Sequence, residues 1–257
     1  MKAAGKLPPR SEYVAGLERG LAIIEAFGTS QSVLTLAEAA KIAGYSRASA
    51  RRCLRTLEAL GYARFDGKYF SLAPRVLRLG NAFVQSNPLT RAVQSVIEAA
   101  SERARETTSV AVLDETDVIL IARALVRHSL AAGLVVGGRI PVYCSANGHA
   151  LLSGLPDDQV EALLARIPRP KLTPHTRCTI KEIMRAVALV RTRGFAINDQ
   201  EVEIGLQTMA VPVRDRQGRV IASLSQSLTG LKGSLVEVAK RRLPQLETAR
   251  ARLDGLL

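Results

Sequence analysis

Between residues 35 and 72 the signals that punctuate a chain fall in an order that leaves little choice of fold. "TLAE" opens the series: Thr35 with Glu38 three residues on forms a capping box, each side chain satisfying a backbone N–H at a helix start. The short helix "LAEAAKIA" follows, and Gly44 with Tyr45 makes a turn. Ser46 is placed to cap a second helix over residues 46–60, which Gly61 closes. Next, "YARFDGKYFSL" reads as two strands around Asp66-Gly67, a strong hairpin signal. Upstream, "VAGLERGLAIIEAF" sets Leu17, Leu21, Ile24 and Phe27 at helical spacing before Gly28 and the polar loop "GTSQSV". Three helices with a tight turn between the last two, then a hairpin, describe a winged helix-turn-helix.

The helix over 46–60 occupies the position that would enter a DNA groove. At 100° per residue, Ala50, Cys53, Leu54, Leu57 and Leu60 share one side. Arg47, Arg51, Arg52 and Arg55 gather within an arc of roughly 140° on the other. Such a face repels itself unless a polyanion lies along it. Bulk charge agrees: residues 1–80 hold 13 Lys/Arg and 6 Asp/Glu, a net of +7, whereas the remaining 177 residues carry only +6. Double-stranded operator DNA is therefore the expected partner.

Other bulk features narrow the class. At 47% hydrophobic and 23% charged residues the composition is globular. No run of about eighteen apolar residues suggests a membrane span, and "MKAAGKLPPRSEY" lacks the apolar core of a secretory signal. Cys53, Cys144 and Cys178 are odd in number and widely spaced, which argues against a disulfide framework and fits a cytoplasmic setting.

The expected domains are a basic tail over 1–11, the winged helix-turn-helix over 12–72, a linker helix over 73–88 opened by Pro74, and a second domain over 89–257. That domain starts with a helix at 89–106. A hairpin at 107–124 follows, then a strand in "HSLAAGLVV", "RIPVYC", and a helix from about Asn147. After two more helices come the strands "GFAIN", "GLQTMAVPV" and "GRVIASLSQS", and a helix at 233–254. Strands in hairpins with helices beside them imply an α+β fold on an antiparallel sheet.

These segments together carry a resemblance. "LERGLAIIEAF", "TLAEAAKIAGYSRASARRCLRTLEALGY", "SLAPRVLRLG", "GRIPVYCSANGHALLSGLP" and "RGFAINDQEVEIGLQTMAVPVRDRQGRVIASLSQS" resemble the IclR family of bacterial transcription regulators, from about Glu12 to Thr229. Within it the pattern is similar to that of the branch controlling protocatechuate and 4-hydroxybenzoate catabolism. The resemblance implies a GAF-like effector domain, a small and usually acidic effector, and homodimers paired through the DNA-binding region that associate further into tetramers. It implies no cofactor.

Ser46, Arg47 and Ser49 start the groove helix, nearest the base edges. Arg47 is the expected guanine contact, because a guanidinium fork matches both guanine acceptors in the major groove. Arg51, Arg52 and Arg55 are expected on phosphates, with Lys68 on the wing; Arg55 has Glu58 three residues on as an alternative partner. By resemblance the effector residues are Ala146, Asn147, Asn198, Gln207, Thr208, Ser225 and Ser227. Ser225 and Ser227, two apart on a strand, share a face and can hold a carboxylate with backbone N–H groups, unless they face solvent on an edge strand.

Two positions depart from the family pattern. Gln207 stands where many relatives have arginine, and His149 where Arg or Lys is frequent; Arg123 and Arg127 are the available compensating cations. Asp199, Glu201 and Glu203 alternate in a turn before a strand, where solvated or backbone-capping roles are expected. His128, His149 and His175 are scattered, and no hydrolase, metalloprotease, Walker or dinucleotide signature appears, so neither an enzyme nor a metal site is expected. A small-molecule enzyme or binding protein with an incidental basic module is the alternative.

Overall fold

Thr35 caps as its sequence requires. Its hydroxyl accepts from the Glu38 amide while the Glu38 carboxylate accepts from the Thr35 amide at 2.7 Å. This computed structural model describes residues 9, 11–28, 32–86, 88–126, 134–229 and 233–254. The expected tail over 1–11 and Arg127 lie essentially outside those residues. So does most of the strand expected in "HSLAAGLVV", whose described end, 134–136, is not strand. The chain divides into two units, Met1–Phe83 and Val84–Leu257.

The first unit holds α1 (Ala15–Ala26), α2 (Leu36–Ala43) and α3 (Arg47–Ala59). Gly44 ends α2 in the left-handed region, and the Ser46 hydroxyl accepts from the Ser49 amide to start α3. A three-stranded antiparallel sheet follows: β1 (Val33–Leu34), β2 (Ala63–Phe65) and β3 (Phe70–Leu72), in the order β1-β3-β2. β1 falls where the sequence suggests only a polar loop, because two residues carry no readable period. The Asp66 carboxylate accepts from the Lys68 and Tyr69 amides, closing the β2–β3 turn.

The core of this unit joins Ile23, Phe27, Leu34, Leu54, Leu57 and Phe70. Leu17 and Leu21, expected on the packed side of α1, are 62% and 47% exposed; Ile23 and Ala26 are buried instead. Leu60 caps the end of α3 and is likewise exposed. After Pro74–Val76, a single 3-10 turn, α4 (Leu77–Ser86) begins.

The second unit opens with α5 (Pro88–Ala104), then β4 (Thr108–Asp114), β5 (Asp117–Ala124) and β6 (Arg139–Pro141). Three helices follow, α6 (Ala146–Leu152), α7 (Asp157–Ala165) and α8 (Ile180–Arg193). β7 (Ala196–Asp199), β8 (Gln207–Arg214), β9 (Val220–Ser227) and α9 (Leu235–Asp254) complete it. The sheet is antiparallel throughout, in the order β6-β5-β4-β9-β8-β7. Side chains alternate across it. Val110, Ala122, Leu224, Met209 and Val211 pack in one cluster with residues of α5 and α9. The opposite set meets α6 and a second cluster built around Leu120, Val142, Leu152, Ile183 and Val187. Among the described residues no helix is long and apolar enough to cross a membrane.

α6 sits hard against the segment before it. A β-carbon on Gly148 would lie 2.0 Å from the Val142 carbonyl oxygen, so only glycine permits this approach. Gly148→Ala is expected to destabilise the second unit by about 3 kcal/mol, the upper end of overpacking effects, as read by chemical denaturation.

Candidate functional site

On α3, Arg47, Arg51 and Arg52 are exposed and pair with no described acidic group. Arg55 behaves differently. Its guanidinium lies 2.7 Å from the Glu58 carboxylate and stacks over the Phe65 ring at 4.5 Å, with Phe70 beyond at 5.8 Å. The alternative pairing with Glu58 is present, and the stacking on Phe65 joins α3 to the hairpin, while the side chain remains 47% exposed. The reason is geometric: the aromatic residues of the hairpin fold onto the α3 turn that carries Arg55. Ser46 spends its hydroxyl as a cap, leaving Ser49 and Arg47 at the exposed start of the helix. Lys68 is exposed on the wing, its ammonium 4.9 Å from the Tyr69 ring. Arg64, exposed on β2, adds a cation that no sequence motif marks.

The second unit contains a small cavity that opens to solvent. Strand register explains its lining. Ser109 pairs with Arg123 on β5 and with Ser225 on β9, so these three point the same way. One step along, Ser227 pairs with Thr208, and Thr208 with Asn198. Of the expected effector residues, Ala146, Asn147, Asn198, Thr208, Ser225 and Ser227 line this cavity. β9 is an inner strand and Ser225 and Ser227 are buried, so they do not sit on a solvent-facing edge. Their hydroxyls make only long bonds, Ser225 to the Ser109 carbonyl at 3.4 Å and Ser227 to the Thr107 carbonyl at 3.3 Å. Thr107, Ser109 and Arg123 complete the polar side, while Leu120, Leu134, Ile140, Val202 and Leu206 form an apolar wall.

Arg123 is the only charged residue among the described lining residues. Burial lowers its pKa from the ordinary value, yet a guanidinium stays protonated in proteins. An anion entering the cavity would offset that desolvation.

Family comparison matches both units. Residues 16–67 match the IclR helix-turn-helix domain, and residues 81–251 match the bacterial transcriptional regulator IclR C-terminal domain. The chain belongs to the IclR family of bacterial transcriptional regulators. The Pca regulon regulatory protein of Pseudomonas putida is 36% identical over 239 residues, 93% of this chain and 82% of that one. The p-hydroxybenzoate hydroxylase transcriptional activator of Acinetobacter baylyi is 34% identical over 219 residues, covering 83% and 81%. An IclR homolog from Microbacterium hydrocarbonoxydans, crystallised with 4-hydroxybenzoate, shares the fold with a TM-score of 0.72 at 24% identity, covering 92% and 99% of the two chains.

Against the family pattern, Gln207 and His149 both fall outside the cavity lining. Gln207 neighbours Thr208 on the strand, so its amide turns away and donates to the Asp199 carboxylate at 2.7 Å. His149 is fully packed, its Nε2 2.9 Å from the Tyr143 carbonyl; burial pushes its pKa down to about 4, leaving it neutral near pH 7. It ties α6 to the preceding segment instead of presenting a charge. Of the solvated and backbone-capping roles expected for Glu201, the structure shows the second: it is buried and accepts from the Arg177 amide. Only three-dimensional pairing brings Thr107, Ser109 and Arg123 to the site, although the β4–β5 hairpin register contains the signal.

Arg55→Ala is expected to lower the thermal stability of the first unit by about 1 kcal/mol through loss of its cation–π and ionic contacts. Arg51→Ala and Arg52→Ala should stay within about 0.5 kcal/mol of the native chain, as exposed substitutions do. Equal losses at all three positions would contradict the separate role assigned to Arg55.

Proposed function

We propose that this chain is an effector-responsive regulator that reads a pseudo-palindromic operator through α3 and senses a small hydroxylated aromatic acid in the cavity of the second unit. The observation that carries the effector class is the composition of the lining: one cationic residue, Arg123, among the described lining residues, beside hydroxyls and opposite an apolar wall. A carboxylate suits the guanidinium and the serines, and a ring suits Leu120, Leu134, Ile140, Val202 and Leu206. The Asn198 side-chain oxygen adds a further requirement. Asn198 is 1% exposed and donates through Nδ2 to the Cys144 carbonyl, while its oxygen has no hydrogen-bond partner among the described residues. A ligand hydroxyl would satisfy it. The names of the Pseudomonas and Acinetobacter relatives, and the ligand of the Microbacterium homolog, support the same class.

In this reading Arg47 contacts bases with Ser46 and Ser49 beside it, Arg51 and Arg52 contact phosphates, and Lys68 meets the backbone from the wing. Arg55 supports the wing. The exposed Val14, Leu17 and Leu21 of α1 supply an apolar face for a second copy, and a dimer or dimer of dimers presents paired α3 helices to two half-sites.

Fluorescence anisotropy on the chain's own upstream DNA tests both halves. Operator affinity should fall steeply with salt, and Arg47→Ala with Arg51→Ala should abolish specific binding while leaving acid binding intact. Arg123→Gln should keep operator affinity yet weaken 4-hydroxybenzoate binding about a hundredfold, as loss of a buried charge partner does. Unchanged acid affinity in Arg123→Gln would remove Arg123 from the site.

A further inference from the structure

Glu201 is a carboxylate that the effector chemistry above does not use. It is 1% exposed, and its Oε1 lies 2.8 Å from the Arg177 guanidinium. The Arg177 amide donates to Oε2 at 3.2 Å. Two hydroxyls reinforce the same junction: Thr173 donates to the Gln200 carbonyl at 2.7 Å and Thr176 to the Glu201 carbonyl at 2.6 Å. Residues 173–177 therefore clamp residues 200–201 from outside the sheet. On the cavity side, the same strand-to-strand segment carries Asn198 before the clamp and Val202 and Leu206 after it. Gln200 and Leu206 close the segment by their own bond, the Gln200 amide to the Leu206 carbonyl at 3.0 Å. A wall of the cavity thus hangs from one buried ion pair and two hydroxyl bonds.

We infer that the Glu201–Arg177 pair positions the 198–206 wall of the effector cavity, so that wall order and effector affinity both depend on Glu201 being ionised. The affinity half of this inference rests on the effector reading above; the wall-order half does not. Breaking a buried ion pair leaves an uncompensated group and loosens whatever it held. Three groups face Glu201: Arg177 from the segment before α8, Asp199 from β7 and Cys144 from the segment before α6. Desolvation raises the Glu201 pKa to about 7, with Arg177 opposing the rise and Asp199 adding to it. Burial pushes the Cys144 thiol up to about 12, so it stays neutral between pH 6 and pH 8. The sign follows: above about pH 7 Glu201 is charged and the clamp is closed, and below it the carboxyl is neutral and the ionic part of the clamp is lost. A neutral ligand hydroxyl or a benzoate carboxylate does not titrate in that window, so a change there reports the protein.

The full-length protein is measured from pH 6 to pH 8.5 in two ways, with Glu201→Gln, Arg177→Gln and Arg177→Lys as variants. Hydrogen exchange, corrected for intrinsic rates, reads the bonded amides of Gln200, Gly205 and Leu206. Calorimetry with 4-hydroxybenzoate reads affinity. Wild-type protection and affinity should each rise on the order of tenfold with pH, a coupling of ordinary allosteric size. Glu201→Gln should be low and flat across the range. Arg177→Gln should also be low and flat, since an ionised Glu201 then has no cation to close on, and Arg177→Lys should restore the rise with pH. That rescue by a second cation separates positioning from a general loss of stability, and it stands if Glu201→Gln fails to fold. Protection that follows pH while no acid binds any variant would uphold the clamp and overturn the effector class. Protection independent of pH in the wild type, or a rise with pH that survives in Arg177→Gln, would overturn the inference.

Discussion

The division of the six-stranded sheet into an apolar face and a hydroxylated face governs the second unit. Val110, Ala122, Leu224 and Val211 give one side a surface that α5 and α9 close without polar cost. The reverse side carries Ser109, Ser225, Ser227, Thr208 and the Arg123 charge at the same register rows. Packing an apolar helix directly on that side would strand those groups. α6 instead docks beside them, held by the close approach at Gly148 and by the buried His149, and leaves unfilled space over the polar rows. The cavity is thus a consequence of strand register: hydroxyls and a guanidinium share one face of the sheet, and the fold leaves room beside them.

In the first unit the corresponding constraint is the separation of α3 into a packed side and an arginine side. Leu54 and Leu57 anchor the helix to α1, α2 and the hairpin, while Arg47, Arg51 and Arg52 remain exposed. Arg55 is exposed as well, but it pairs with Glu58 and stacks over Phe65. Its position links the groove helix to the wing, so the spacing between them is set within the domain before any DNA is met.

Local signals in the sequence read through well. The capping box at Thr35, the cap at Ser46 and the Asp66-Gly67 turn each involve partners within a few residues, so spacing alone specifies them. The side of α1 that packs does not follow from spacing, because apolar residues occur around most of that helix, and Leu17 and Leu21 form a second stripe beside Ile23. Non-local features were harder still. Ser109 and Arg123 join Ser225 through pairings across more than a hundred residues of chain, and nothing in the motif around Glu201 announces that Thr173, Thr176 and Arg177 fold over it. Gln207 draws notice as a departure from the family's arginine, yet the strand alternation that puts Thr208 inside puts Gln207 out.

In the proposed reading the cavity recognises a carboxylate at one end of a hydroxylated aromatic ligand. Isothermal titration of the wild-type protein with 4-hydroxybenzoate and with its uncharged amide, equal in ring and hydroxyl, tests it most directly. The acid should bind at least about tenfold more tightly, the lower range for a buried charge contact. Equal affinity for the two would mean that Arg123 does not read a carboxylate, and the effector class proposed for this regulator would fall with it.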